Sequence, residues 1–399
     1  RERERTGKRR LLLLVAAADL NCPSDQGFIA DKLDPIAITL FGGNCELVPC
    51  IFPFHGTSPG PTSLGYKRTE RILLGGMTFA AARFLKQIAT SPRKPTPQLR
   101  LFRSHLWQRF FENLQPDLVV GIGLQHEILS AGHTYGVPCI EVQHGLLGRS
   151  TIKKYWPRSH YGPSQRPALV LAWDDHYVNE MRTQHIDAVS MGPGLQFLQE
   201  SCLMRRAPEP QKDERYASSA RFYSPHSTKK LLVLGSWRHT TSATLLPERT
   251  VELLDLAAIS SPEIELAFRL HPVVAASPST AREVATLLHR HFPKAEIQDP
   301  RHLGIVDSLS HCAAVLTRPS ATAFEAAMLG VRTCIWGSYA EGDLPEKLAD
   351  YVVSLDDNLY IALAQVLEVL RLNPPPVYQP DSASLRVVST KIQRLSHGT

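Results

Sequence analysis

Three stretches of the chain end an apolar run with side chains able to bind an anion or move a proton. The first is Phe268–Pro272, FRLHP, which closes a strand-like run with Arg269 and His271. The second is Val315–Trp336, VLTRPSATAFEAAMLGVRTCIW, which reads as strand, polar turn, amphipathic helix, glycine stop and strand. Arg318-Pro319-Ser320 breaks its first strand, because proline disfavours helical geometry in the residue before it. Ser320 then caps a helix whose apolar positions Ala323, Phe324, Ala327 and Met328 fall at helical spacing, and Gly330 stands where a C-cap belongs. A strand feeding a helix start with Ser320 and Thr322 offers backbone N–H groups and the positive end of a dipole, a seat for phosphate. Glu325, one turn in, is placed to reach a ribose hydroxyl. The plainer reading is an ordinary strand–helix unit with a good cap. His271 and Arg269 fall at the carboxyl end of a predicted strand, the edge at which open α/β sheets bind ligands.

The third stretch, Cys139–Trp156, CIEVQHGLLGRSTIKKYW, places His144 after another strand. An imidazole with an unperturbed pKa of about 6.5 is mostly neutral near pH 7 and suits a general base. The alternative is a strand-end histidine that only bonds backbone. His126, with Glu127 beside it, is the fallback for the same role. Arg149, Lys153, Lys154 and Arg158 follow with no acidic residue among them, and fit an anionic acceptor, an acidic membrane face or a solvated loop.

Taken in order, the QHG, HP and Ser/Thr helix-start elements resemble the GT-B glycosyltransferases. The likeness is to bacterial surface-polysaccharide (capsule and lipopolysaccharide) enzymes: sialyltransferase-like, Kdo-transferase-like and CDP-glycerol glycerophosphotransferase families. It spans about residues 118–337. The resemblance implies two Rossmann-like, doubly wound α/β domains facing each other across a cleft, with the last helix crossing back onto the first domain. It makes His144 the base that takes a proton from an acceptor hydroxyl. It assigns the donor nucleotide and phosphate to Ser236 and Arg238 in the turn Gly235-Ser236-Trp237-Arg238, to Arg269, His271 and Pro272, and to Ser320, Thr322 and Glu325. Related families carry two adjacent hydroxyl residues where this chain has Ser320-Ala321-Thr322. No metal and no cofactor are implied, the nucleotide-sugar being a substrate. CMP-activated acid sugars are the favoured donors and a glycan or glycolipid the acceptor.

Two other readings stand beside this one. A hydrolysing UDP-sugar 2-epimerase shares the fold, but its Ser-Gly-Gly phosphate turn is replaced here by Pro319-Ser320-Ala321. A catalytically silent GT-B-like subunit could instead bind glycan or scaffold a synthase.

The elements that must position these residues follow from length and pattern. A chain of 399 residues suits two domains. The net charge of +6 is concentrated in Arg1–Arg10, which holds six basic and two acidic residues and reads as a solvated tail. That distribution argues against nucleic-acid binding. Seven dispersed cysteines without a C-x-x-C pair support neither a zinc site nor a disulfide framework, and point to a reducing cytoplasm. The protein is expected there, with peripheral contact to the inner face of the cytoplasmic membrane. The chain starts at arginine rather than methionine, as a piece of a longer protein would. Leu11–Ala18 mimics a signal-peptide core but is better read as a first strand, since Asp19, Asn21 and a Pro-Ser-Asp turn follow.

Strand and helix alternate from Pro116 to Gly194, and again from Lys230 to Leu372, which predicts two parallel sheets. Expected boundaries are a tail over 1–10, a first domain over 11–203, a Pro/Ser-rich linker over 204–229, a nucleotide domain over 230–372 and a terminal segment over 373–399. Tyr66–Thr90 carries helical spacing. Trp107, Phe110 and Phe111 on the helix Leu99–Leu114 are expected in the core, and Asp174 as a helix cap rather than a metal ligand.

Overall fold

The computed structural model describes residues 9–15, 20–24, 27–30, 33–41, 45–51, 67–68, 97–143, 145–146, 152, 163–192, 229–235, 246, 249–275, 277–336, 344–348, 350–379, 383 and 385–397. They form two compact units. The first gathers the strand Arg9–Val15, the elements from Gly27 to Ser190 and the C-terminal helix, and the second the elements from Lys230 to Tyr378 together with residues 21–25.

The first unit is built on β1 (Arg9–Val15), whose RRLLLLV sequence ends in five fully buried residues. A strand apolar on both faces belongs at the centre of a parallel sheet. Its pleat sends Leu11, Leu13 and Val15 into one core layer and Leu12 and Leu14 into the other. The short strands β2 (Leu20–Ser24), most of which is grouped with the second unit, and β3 (Gly27–Ala30) come next along the chain, and helix α1 (Asp34–Phe41) follows. Strands β4 (Cys45–Ile51) and β5 (Lys67–Arg68) extend the sheet on one side of β1. Lys67 and Arg68 pair with Cys50 and Ile51 as strand, so the helical reading of Tyr66–Thr90 fails at its start. Residues 69–90 lie outside the described residues. Helix α2 (Pro97–Leu114) buries Trp107, Phe110 and Phe111 against Leu12 and Leu14, as their spacing predicts.

On the other side of β1 come β6 (Leu118–Gly121), helix α3 (His126–Thr134), β7 (Cys139–Val142), β8 (Leu169–Ala172), helix α4 (Asp175–Thr183) and β9 (Ala188–Ser190). The strand order is β5-β4-β1-β6-β7-β8-β9, every neighbouring pair parallel. Gly121 lets β6 close on β1, because a Cβ there would sit 2.7 Å from the Leu14 carbonyl oxygen.

The second unit repeats the plan. Its strands are β10 (Lys230–Leu234), β11 (Glu265–Arg269), β12 (Glu296–Gln298), β13 (Ala314–Thr317), β14 (Arg332–Trp336) and β15 (Val352–Leu355). Its helices are α5 (Thr250–Ser260), α6 (Pro272–Ala275), α7 (Pro278–His291), α8 (Ile305–Ser310), α9 (Thr322–Ala327) and α10 (Leu359–Arg371). The sheet order is β12-β11-β10-β13-β14-β15, again all parallel. Leu231 and Val233 enter one core layer and Leu232 and Leu234 the other. Past α10, Tyr378 still packs edge-on to Phe324 and Tyr351. Helix α11 (Leu385–His397) belongs to the first unit, where Val388 and Ile392 join the core that holds Leu11 and Leu13. No helix among the described residues is long and apolar enough to cross a membrane.

Candidate active site

In both sheets the strand order reverses beside the first strand, between β1 and β6 and between β10 and β13. The crevice outside the carboxyl ends of the strands at such a point is where doubly wound sheets bind ligands. In the second unit the ends of β11, β10 and β13 are neighbours there, and they bring the FRLHP and Ser320 stretches to one edge.

Arg269 ends β11 buried, and its Nη1 donates to the Leu303 carbonyl and to Ser308 Oγ, both at 2.8 Å. Its guanidinium therefore ties the strand end to the loop before α8 and to α8 itself. His271 begins the next turn: its carbonyl accepts from Val274 and Ala275 N–H, and its Nδ1 accepts from Val273 N–H at 3.2 Å. Pro272 opens α6 at the position where a missing N–H costs nothing. A neutral imidazole accepting at Nδ1 carries its proton on Nε2, so that edge of the ring is a donor suited to a phosphate oxygen. Ser236 and Arg238 lie outside the described residues; Gly235, just before them, donates its N–H to the Arg269 carbonyl at 3.0 Å.

At the end of β13, Ser320 Oγ accepts the Thr322 N–H at 3.2 Å and lies 3.3 Å from Thr322 Oγ1. The helix begins one residue later than expected, with Ala321 as its N-cap, so Ser320 caps through its side chain from just outside. The two hydroxyls stand together at the helix start. Glu325 is buried on α9, with its backbone N–H on the Ala321 carbonyl at 3.3 Å. A carboxylate so placed must be satisfied by its surroundings, which fixes its direction. Gly330 closes the unit at φ 68°, where a Cβ would meet the Pro375 carbonyl oxygen at 2.9 Å.

The corresponding edge of the first unit is organised by two buried polar residues, Glu141 of β7 and Gln143 just past its end. Glu141 accepts the N–H groups of Gly123 (2.6 Å) and Leu124 (2.8 Å), shaping the loop between β6 and α3. Gln143 accepts the Trp173 N–H at 2.9 Å and donates through Nε2 to the Gly145 carbonyl at 2.8 Å, while its own carbonyl accepts Trp173 Nε1–H at 2.8 Å. Gln143 is thereby tied to Trp173, just past β8, and Gly145 to the Gln143 side chain. His144 itself lies outside the described residues, as do Arg149, Lys153, Lys154 and Arg158. His126 is half-buried as the first residue of α3, just past the β6 end. Asp174 caps α4 by accepting the His176 N–H at 2.9 Å, the structural role expected of it.

Sequence reading passed over Glu141 and Gln143. The signal was present: two amide- or carboxylate-bearing residues at alternate positions of the otherwise apolar strand CIEVQ share one face. Next to them, the buried Cys139 thiol is pushed up to about 12, first by burial and then by the charge of Glu141. Cys45, Cys50, Cys139, Cys312 and Cys334 are free thiols.

Similar solved structures include three UDP-GlcNAc 2-epimerases. The Neisseria meningitidis protein, bound to UDP-GlcNAc, superposes with a TM-score of 0.62 at 13% identity, over 96% of this chain and 100% of its own. The Methanocaldococcus jannaschii protein, in complex with UDP-GlcNAc and UDP, gives 0.60 at 15% identity over 98% and 100%. A putative enzyme from Listeria monocytogenes gives 0.60 at 12% over 99% and 98%. No protein-family model matches the sequence, and no curated protein does. At these identities the likeness is one of fold: two Rossmann-like domains of the GT-B kind.

Proposed function

We propose that the chain is a nucleotide-sugar-dependent glycosyltransferase of surface-polysaccharide assembly, working in the cytoplasm on a glycan or lipid-linked acceptor, with CMP-sugars as favoured donors. The observation that carries the reading is the edge at the β10/β13 reversal, where a histidine with its donor edge at Nε2 and the paired hydroxyls of Ser320 and Thr322 follow the strand ends on either side of β10. Such a group of donors matches a phosphate better than a neutral ligand. In the reaction, the acceptor oxygen bonds to the anomeric carbon as the bond from that carbon to the nucleotide phosphate breaks. The electron pair leaves with the phosphate, whose growing charge His271, Ser320 and Thr322 stabilise. The acceptor hydroxyl proton passes to His144. Arg269 holds the β11 end and the α8 loop in place, and Glu325 faces the ribose.

A second reading is favoured by one observation, the full-length likeness to epimerases bound to UDP-GlcNAc. Hydrolysing epimerisation would use the same phosphate edge, with water in place of an acceptor. A thermal-shift screen against CMP, CDP, UDP and GDP, followed by product analysis with and without a glycan acceptor, separates the two. A transferase stabilised by CMP yields a lengthened glycan only when acceptor is present. Free 2-epimer and UDP released from UDP-GlcNAc without acceptor would overturn the transferase reading.

A further inference from the structure

Away from the β1/β6 reversal, the first unit holds a cavity of about 510 Å³ between α4, β9 and α11. Strand β9 is the edge of the sheet, three strands beyond β6, which at about 4.8 Å per strand is roughly 14 Å from that switch point. The buried Ala188 and Ser190 of β9 help to form its wall, and Ser190 Oγ donates to Asp175 Oδ1 at 2.5 Å. Helix α11 and the residue shortly before it are fastened to the strand: Ala383 N–H bonds the Ser190 carbonyl at 3.0 Å, and Lys391 of the helix bonds Asp187 and the Ala188 carbonyl.

The charge in this cavity is one-sided. Arg386, Thr390 and Arg394 recur at every fourth position of α11, one face of the helix over roughly 12 Å, and Arg182 of α4 joins them. Leu385–His397 contains no acidic residue. Among the described residues no carboxylate pairs with Arg182, Arg386 or Arg394; Asp175, the one carboxylate lining the cavity, already accepts from Ser190, and Lys391 is paired with Asp187. Guanidiniums set along a concave wall focus positive potential, and their planar forks match carboxylate, sulfate or phosphate oxygens. Arg182, Arg386, Thr390 and Arg394 are themselves exposed; what sets them apart from an ordinary solvated helix face is the cleft they rim, floored by the buried Val178, Val189 and Ser190.

We propose that this cavity binds a segment of an acidic glycan, a chain whose negative groups are spaced along the α11 row. Among the described residues no aromatic side chain lines it, and so they offer no stacking platform of the kind on which single-stranded nucleic acid is held. Its concavity suits a chain rather than the plane of a membrane. On the transferase reading given above it is an exosite that retains the polymer while its end is extended. The binding itself needs no donor and is tested without one.

The test is fluorescence anisotropy of a labelled sulfated tetrasaccharide with the full chain, beside an uncharged tetrasaccharide and vesicles containing phosphatidylglycerol. The expected result is salt-sensitive binding of the sulfated probe only. The double variant Arg386→Glu/Arg394→Glu weakens it at least tenfold, Arg386→Gln/Arg394→Gln weakens it less, and Arg290→Glu on the other unit changes it under twofold. Unchanged affinity in both double variants, with parental unfolding midpoints, overturns the site. Equal binding of the uncharged probe overturns the ligand class, and vesicle binding without tetrasaccharide binding assigns the face to a membrane. Because donor and transfer are absent from the assay, its failure leaves the transferase reading standing, and failure of transfer leaves the site standing.

Discussion

Glu141 holds Gly123: the buried carboxylate of β7 accepts the Gly123 N–H at 2.6 Å, and its second oxygen takes the Leu124 N–H at 2.8 Å. One side chain thus sets the loop that leaves β6 at the strand-order reversal and leads to His126. Hydrogen bonds to a charged group contribute about 1.5–3 kcal/mol each, and a buried donor left without its acceptor costs about as much. Glu141→Ala should therefore lose on the order of 3 kcal/mol in urea unfolding. Glu141→Gln keeps one acceptor but turns an amide NH2 toward the other N–H, and should fall between. A loss under about 1 kcal/mol for the alanine variant would mean that the loop does not depend on this clamp.

The donor edge gives a second prediction, resting on the capping geometry of His271. Asparagine at 271 can accept the Val273 N–H through its side-chain oxygen as Nδ1 does, yet it has no counterpart to Nε2. His271→Asn should keep the parental unfolding midpoint and bind nucleotide roughly ten- to a hundred-fold more weakly, the loss of one hydrogen bond to a charged group. Ser320→Ala should weaken nucleotide binding by a similar factor. Parental affinity in both, measured by calorimetric titration, would place the phosphate elsewhere.

Much of this was legible in the sequence where local and tertiary preferences agree. Leu11–Val15 is apolar on both faces and became a central strand, and Trp107, Phe110 and Phe111 became core. The short elements were not legible. Strand β5 is two residues long, too short for any period to register, and the spacing around it favoured a helix. Strand β15, VVSL, carries too little alternation to stand apart from the loop before α10. Arg269 was readable as a cation at a strand end, but its tie to Ser308 joins residues on different elements and needs the fold to be known. Glu141 escaped for the same reason, since its partners are backbone groups on the neighbouring strand's loop.

A third prediction follows from the loop after β12. Burial pushes the Asp299 carboxyl up, but the side-chain and backbone hydrogen bonds from Arg301 outweigh it and leave the group below its ordinary value. A carboxylate depressed in the folded state stabilises above its unfolded pKa of about 3.9, and that contribution fades as pH falls through the folded value. The pair is partly exposed, so its worth is on the order of 1 kcal/mol. Asp299→Asn should be less stable than the parent by about that much at pH 7 and pH 5, with the gap closing below about pH 4. A gap that stays constant down to pH 3 in urea unfolding would contradict the depressed carboxyl.

The last prediction separates the base from its frame. Gln143 brackets position 144, with Nε2 on the Gly145 carbonyl and Oε1 on the Trp173 N–H. General-base catalysis supplies about 10²–10⁴-fold, and His144→Ala should lose turnover on that order at saturating donor while nucleotide affinity stays parental. Gln143→Ala removes the bracket but leaves the imidazole. It should lower both the unfolding midpoint and turnover, and the remaining rate should still titrate with a histidine-like pH profile. His126→Ala, one strand away at the start of α3, should transfer at close to the parental rate. If His126→Ala slows transfer and His144→Ala does not, the base is His126. Should neither slow it, the proton leaves by another group, and the strand-end histidines serve only to shape this edge.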